Sequence, residues 1–278
     1  VRAMGNIGYF AILTNAQGVV IDVQGPVDRS DRRADVIARV GVDLSERAVG
    51  TTAIGAALAE LQPVWLHRGE HFFDDTSVYS CAGAPVFGPD GRCAGMLDLT
   101  GVEVAERPAL KHLVRRSARS IENGWLLAAP HALTLRLNWP GNQPGDDSDG
   151  LLTLDADGRI IGANPTARQM LALEWGSADT HAADVFAMPW DNLFDAARRD
   201  SGVCEVPLWS GLRLQARAQR AGEAAAPSPR GSGKALRDVQ TELIRHAVVQ
   251  ARGNVAEAAR ALGISRATVY RKLGTPKA

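Results

Sequence analysis

Between Arg252 and Leu273 three helix-boundary signals fall so close together that two short helices joined by a tight turn fit them best. Leu236, Val239, Leu243, Ile244, Ala247 and Val248 recur at helical spacing, and Arg252-Gly253 ends that helix, since glycine accepts the left-handed conformation of a helix stop. Asn254 caps a second helix, Glu257 three residues on completes a capping box, and Val255, Ala258, Ala259 and Leu262 form its inner face. Gly263-Ile264 makes the turn. Ser265 is the next cap, and Arg266 to Leu273 forms a third helix with Val269 and Leu273 turned inward.

At about 100° per residue, burial of Val269 and Leu273 puts Ala267, Thr268 and Arg271 on the outer side, with Arg266 and Lys272 flanking them. A small, polar and cationic outer face on the last helix of such a pair is the geometry that enters a DNA major groove. Ala267 permits close approach, Thr268 can bond a base edge or a phosphate, and the planar fork of Arg271 matches a guanine edge. Ser265 and Asn254 stand at helix N-termini, where backbone amides suit phosphate. The alternative is a three-helix docking module with an incidental basic face. Net charge bears on the choice. The whole chain balances 31 basic against 31 acidic side chains, yet from Lys234 onward nine Lys and Arg face three Asp and Glu. A basic tail on an acidic body suits a nucleic-acid partner.

The 278 residues have ordinary globular values, 45% apolar and 22% charged, which excludes a wholly disordered chain and leaves room for two domains or more. The longest apolar stretch, Gly124 to Leu137, is interrupted by Pro130, His131 and Arg136, so no membrane partner is expected. The start lacks a small-residue cleavage site and reads as a strand. Three cysteines, Cys81, Cys93 and Cys204, have neither zinc-site nor disulfide-framework spacing, and a cytoplasmic location follows. Neither cofactor nor metal is expected.

Composition breaks hardest at residues 219–234, an Ala-, Gly-, Pro- and Ser-rich stretch without periodicity that reads as a flexible linker. A softer break spans Asn138 to Gly150. The expected blocks are residues 1–129, 131–218, the linker 219–234 and a C-terminal all-α block 235–278. In the first, Tyr9 to Leu13 and Val19 to Val23 flank a turn, as do Ala84 to Phe87 and Cys93 to Leu99, with Val64 to Leu66 a further strand. Leu110, Leu113, Val114, Ser117, Ala118 and Ile121 then predict a closing helix. In the second, Leu151 to Leu154 and Arg159 to Gly162 flank Asp155-Ala156-Asp157-Gly158, Asn164-Pro165 starts a helix, and Cys204 to Gln215 alternates as closing strands. The fold class is α+β with antiparallel sheets.

Residues Gly253 to Leu273 closely resemble the Fis-type helix-turn-helix of bacterial enhancer-binding activators. That resemblance implies a DNA-facing set of Asn254, Ser265, Arg266, Ala267, Thr268, Tyr270, Arg271 and Lys272, and a homodimer on an inverted repeat of double-stranded DNA. Ser45 to Gly55, Gly69 to Phe72, Ser80 to Val86 and Gly95 to Thr100 resemble the GAF sensor domain of acetoin-catabolism-type regulators, and the middle block is PAS-like. A small-molecule effector is implied, with Trp65, His71, Phe72, Tyr79, Cys81 and Met96 as its candidate lining. RNA polymerase or a related activator is a further implied partner. The pattern departs from that family twice. A helix expected before the first strand is not in the sequence, and the linker stands where the family carries an ATPase that remodels sigma-54 polymerase.

Three motifs invite other chemistry. Gly231-Ser232-Gly233-Lys234-Ala235 looks like a phosphate loop, but Ser228 replaces its first glycine and Ala235 the magnesium-binding hydroxyl. His67-Arg68-Gly69-Glu70-His71 matches H-x-x-E-H, which needs one rigid helix, whereas Gly69 and the preceding strand predict a loop. Cys81 and Cys93 raise the alternative of a thiol-dependent methionine sulfoxide reductase or redox sensor; the expectation is that the chain is not an enzyme.

Overall fold

The structure, a computed structural model, describes residues 8–174, 180–199, 201–222 and Val255. The chain divides into two units, Val1–Glu223 and Ala224–Ala278. Of the second, Val255 alone is described, and it is helical. The linker beyond residue 222 and the whole DNA-facing set therefore lie outside the described residues.

The first unit holds two antiparallel five-stranded sheets. The first is built from β1 (Tyr9–Asn15), β2 (Val20–Gln24), then α1 (Arg32–Ile37), α2 (Glu46–Val49) and α3 (Ala53–Glu60), followed by β3 (Val64–His67), β4 (Tyr79–Phe87), β5 (Cys93–Val102) and α4 (Leu110–Ala128), in the order β2-β1-β5-β4-β3. The β1–β2 turn forms because the Asn15 carboxamide accepts from the amides of Gln17 and Val19, both at 3.0 Å, while Gly18 takes φ +83°. Strand alternation sorts the core into two layers. Tyr9, Ala11, Ala82, Ala84, Leu97 and Leu99 pack on Leu110, Val114 and Ala118 of α4. On the other face Phe10, Ile12 and Met96 meet Ala34, Ile54 and Ala57 from α1 and α3.

The helix expected to end at Ile121 runs on to Ala128, and its inner face differs from the expected stripe. Leu110, Val114, Ala118, Glu122 and Leu126 are buried, whereas Leu113 and Ile121 are exposed. Each of those two precedes a buried residue by one position, about 100° around the helix, and so falls off the line facing the sheet.

The second sheet comprises β6 (Leu133–Asn138), β7 (Gly150–Leu154) and β8 (Ile160–Ala163), then α5 (Pro165–Leu171), α6 (Ala182–Val185) and α7 (Asp191–Arg198), and finally β9 (Val203–Pro207) and β10 (Arg213–Arg220), ordered β8-β7-β6-β10-β9. The central strand β6 precedes the softer composition break, and its Leu133, Leu135 and Leu137 are fully buried beside Leu152, Leu154, Phe186 and Leu214. Strand β10 pairs Gln219 with Thr134 and Arg220 with Leu133. The first two residues of the expected linker are thus paired strand, because β6 offers two more backbone partners at that edge. Among the described residues no helix is long and apolar enough to cross a membrane.

Candidate functional site

The six residues expected to line an effector pocket do not converge on one place. Strand register sets Trp65 opposite Ala82, whose side chain faces α4, and Trp65 packs in that layer. Cys81 and Met96 belong to the opposite layer, under α3, where a Cβ on Gly83 would stand 2.6 Å from the Met96 methyl and 2.8 Å from the Ala53 carbonyl oxygen. Tyr79 donates its hydroxyl to the Arg33 carbonyl at 3.0 Å. Phe72 is exposed and meets Phe73 edge to face at 4.9 Å. His71 is buried, with Nδ1 2.9 Å from the Arg68 carbonyl and Nε2 without a partner in the structure. Burial holds its pKa below the ordinary histidine value.

The H-x-x-E-H segment is a strand end and a single 3-10 turn, Arg68–Glu70, rather than a helix. Its two histidines face different partners: His67 Nδ1 lies 2.6 Å from the Ser80 hydroxyl, and the Glu70 carboxylate accepts from the His67 amide at 2.7 Å. Among the described residues no group of three potential ligands could hold a metal ion. The thiols are separated as well. Cys81 stands opposite Thr100 and Cys93 opposite Phe87, at two ends of the β4–β5 ladder, and burial pushes both thiols up, away from the reactive thiolate.

Two buried carboxyls, Asp98 and Glu122, lie outside the set of residues expected from the sequence to line the site. Asp98, in the middle of β5, accepts from the Thr100 hydroxyl through Oδ2, while Oδ1 has no partner; burial pushes its carboxyl to about 7. Its sequence signal is a charged residue inside the apolar alternation Met96-Leu97-Asp98-Leu99. Glu122, on the buried face of α4, accepts from the Phe87 amide at 2.9 Å and is likewise pushed by burial to about 7.

Glu122 borders the junction between the two sheets. Asn164 caps α5 by accepting from the Ala167 amide at 2.8 Å and also accepts from the Leu151 amide at 3.0 Å. It donates to the Asn123 side-chain oxygen on α4 and to the Asp149 carbonyl, both at 2.9 Å. One turn of α5 further, the buried Arg168 gives its three nitrogens to carbonyl oxygens: Ala163 at 3.2 Å, Glu174 at 3.0 Å and, from the turn between β4 and β5, Pro89 at 2.9 Å. Desolvation lowers the Arg168 pKa, and none of these contacts is a carboxylate. Beside this clasp opens a cleft of about 830 Å3. It is lined by α4 through Arg115, Arg119 and Glu122, by α5 through Thr166, Arg168 and Gln169, and by Gln62-Pro63, with none of the six expected effector residues in its wall. Its size is that of a small-molecule site.

Residues 235–274 match the model of the Fis family of bacterial regulatory proteins, and residues 4–123 match that of the N-terminal domain of MimR. The acetoin catabolism regulatory protein of Cupriavidus necator is 34% identical over 209 residues, which cover 72% of this chain and 30% of that protein. MimR, the propane 2-monooxygenase operon transcriptional activator of Mycolicibacterium goodii, is 31% identical over 114 residues, covering 40% and 20%. The chain thus spans less than a third of the length of these relatives. Among solved structures the Escherichia coli DhaR(N)–DhaL complex aligns at 13% identity and a TM-score of 0.42, covering 78% of this chain and 80% of that one. The chain is related to transcriptional regulators and carries a Fis-family segment at residues 235–274.

Proposed function

We propose that the chain is a sequence-specific, DNA-binding transcriptional regulator in which effector binding within residues 8–222 controls how the C-terminal segment engages DNA. One observation carries this reading: the Fis-family match over residues 235–274 coincides with the stretch where cap, turn and basic outer face independently describe a groove-reading helix pair. Arg271 and Thr268 supply base readout; Ser265, Asn254 and Lys272 supply phosphate contacts. The active species is a cytoplasmic homodimer, with two recognition helices set about 34 Å apart on an inverted repeat. The GAF-like first half and PAS-like second half act as the sensor. In this reading the chain works as an occupant of DNA and not as an enzyme.

The test is selection of bound duplexes from a random-sequence pool, followed by sequencing, at two salt concentrations. An enriched inverted repeat whose affinity falls steeply with salt is the expected result. Binding without enrichment would leave only a non-specific DNA binder, and absence of binding would refute the proposal.

A further inference from the structure

The cleft between α4 and α5 has an electrostatic character that the fold itself does not use. Arg115 and Arg119 stand one helical turn apart on its α4 wall and make no hydrogen bond or ion pair among the described residues, although Arg119 feels the carboxyls of Glu122 and Asp146 through space. Arg168 adds a buried guanidinium whose three nitrogens each bond a carbonyl oxygen, while the Asp90 carboxylate acts on it only through space, so no described anion contacts its positive charge. Burying a cation without a contacting counter-ion is costly, and a bound anion would offset that cost. The Glu122 carboxyl, held up to about 7 by burial, subtracts less than a full negative charge near neutral pH. Glu174 supplies the remaining acidic side chain of the wall.

We propose that this cleft binds a compact dianion, a small dicarboxylate or phosphate-bearing molecule, gripped by Arg115 and Arg119 from α4 and by the Thr166 hydroxyl from α5. Guanidinium groups suit both oxyanions because their planar fork donates two parallel hydrogen bonds. A ligand so placed touches both sheet-bearing halves and raises the stability of the folded unit by mass action. The site is a property of the described residues and stands apart from the DNA-binding proposal.

The experiment is calorimetric titration of the whole chain with succinate and, separately, inorganic phosphate, using glycerol as the uncharged control. The proposal expects saturable one-to-one binding of at least one dianion. The double variant Arg115→Gln/Arg119→Gln should weaken it by at least about tenfold, as loss of charge-assisted hydrogen bonds implies. Arg47→Gln, an exposed arginine on α2 outside the cleft, should leave it unchanged. Circular dichroism confirms that the variants fold. Failure of both dianions to bind saturably, equal binding by the double variant, or equal binding of glycerol would each overturn the proposal. DNA binding is not a readout, so either proposal can fail alone.

Discussion

Asn164 reaches Asn123 across 2.9 Å, and through that bond the cap of α5 is tied to the buried face of α4. Each carboxamide makes a further bond: Asn164 to the Asp149 carbonyl and Asn123 to the Asp147 carbonyl. The two sheets are thereby held in part through a side chain, Asn164, that also caps a helix. The junction therefore draws on the same carboxamide that starts α5.

Replacing Asn164 with Ala should cost about 3 kcal/mol in urea denaturation, since it removes a cap and leaves buried amides and a carbonyl without partners. Asn123→Ala should cost less, because that side chain caps nothing. A double-mutant cycle over the pair should show a coupling of about 1 kcal/mol. Strict additivity would mean that the bond contributes nothing to stability.

Gly91 takes φ +82°, and a Cβ there would lie 2.5 Å from Arg168 Nε. Gly141 takes φ +92° with nothing within 4 Å of its would-be Cβ. Gly91→Ala should therefore destabilise by about 1–3 kcal/mol more than Gly141→Ala, whose cost is backbone strain alone. Equal melting temperatures for the two variants would show that Arg168 moves aside freely.

Asp98 and Glu122 both titrate higher in the folded chain than in the unfolded one. Between about pH 4 and 7 the folded state retains protons that the unfolded state releases, so their neutral forms favour folding at low pH and that advantage is lost as pH rises through about 7. Asp98→Asn mimics the neutral carboxyl and should flatten this part of the stability profile while leaving the part due to Glu122. Urea midpoints at pH 5 and pH 8 measure it. An unchanged difference between the two pH values would show that Asp98 ionises as freely as an exposed carboxyl.

On the DNA side, Arg271→Ala should reduce affinity and relax base preference at one position, with about 1–3 kcal/mol of discrimination lost. Lys272→Ala should weaken all sequences alike and reduce the salt slope by about one. Anisotropy titrations on an enriched site and a scrambled one distinguish these; identical behaviour of the two variants would remove the assignment of base reader and phosphate contact.

What the sequence by itself determined was local. Asn15 to Gly18 and Asp155 to Gly158 form the expected turns because the side chains of Asn15 and Asp155 bond backbone amides two and four residues on. Asn164-Pro165 starts α5 for the same kind of reason. The cap and turn signals at Asn254 and Ser265 are sequence readings of the same local kind, and they lie outside the described residues. Tertiary structure alone decided which strand is central, which side of α4 is buried, and what surrounds each carboxyl. Strand β6 sits between β7 and β10, and β10 is more than seventy residues away in sequence, a pairing that no short-range pattern encodes. Leu113 and Ile121 are as apolar as the residues that pack, but the sheet meets α4 along Val114 and Ala118. Glu122 and Arg168 read as ordinary charges in a list of residues, and Asp98 only as a charge within an apolar run. Their altered ionisation arises from desolvation, which, like the cleft beside Arg168, depends on how distant segments close together.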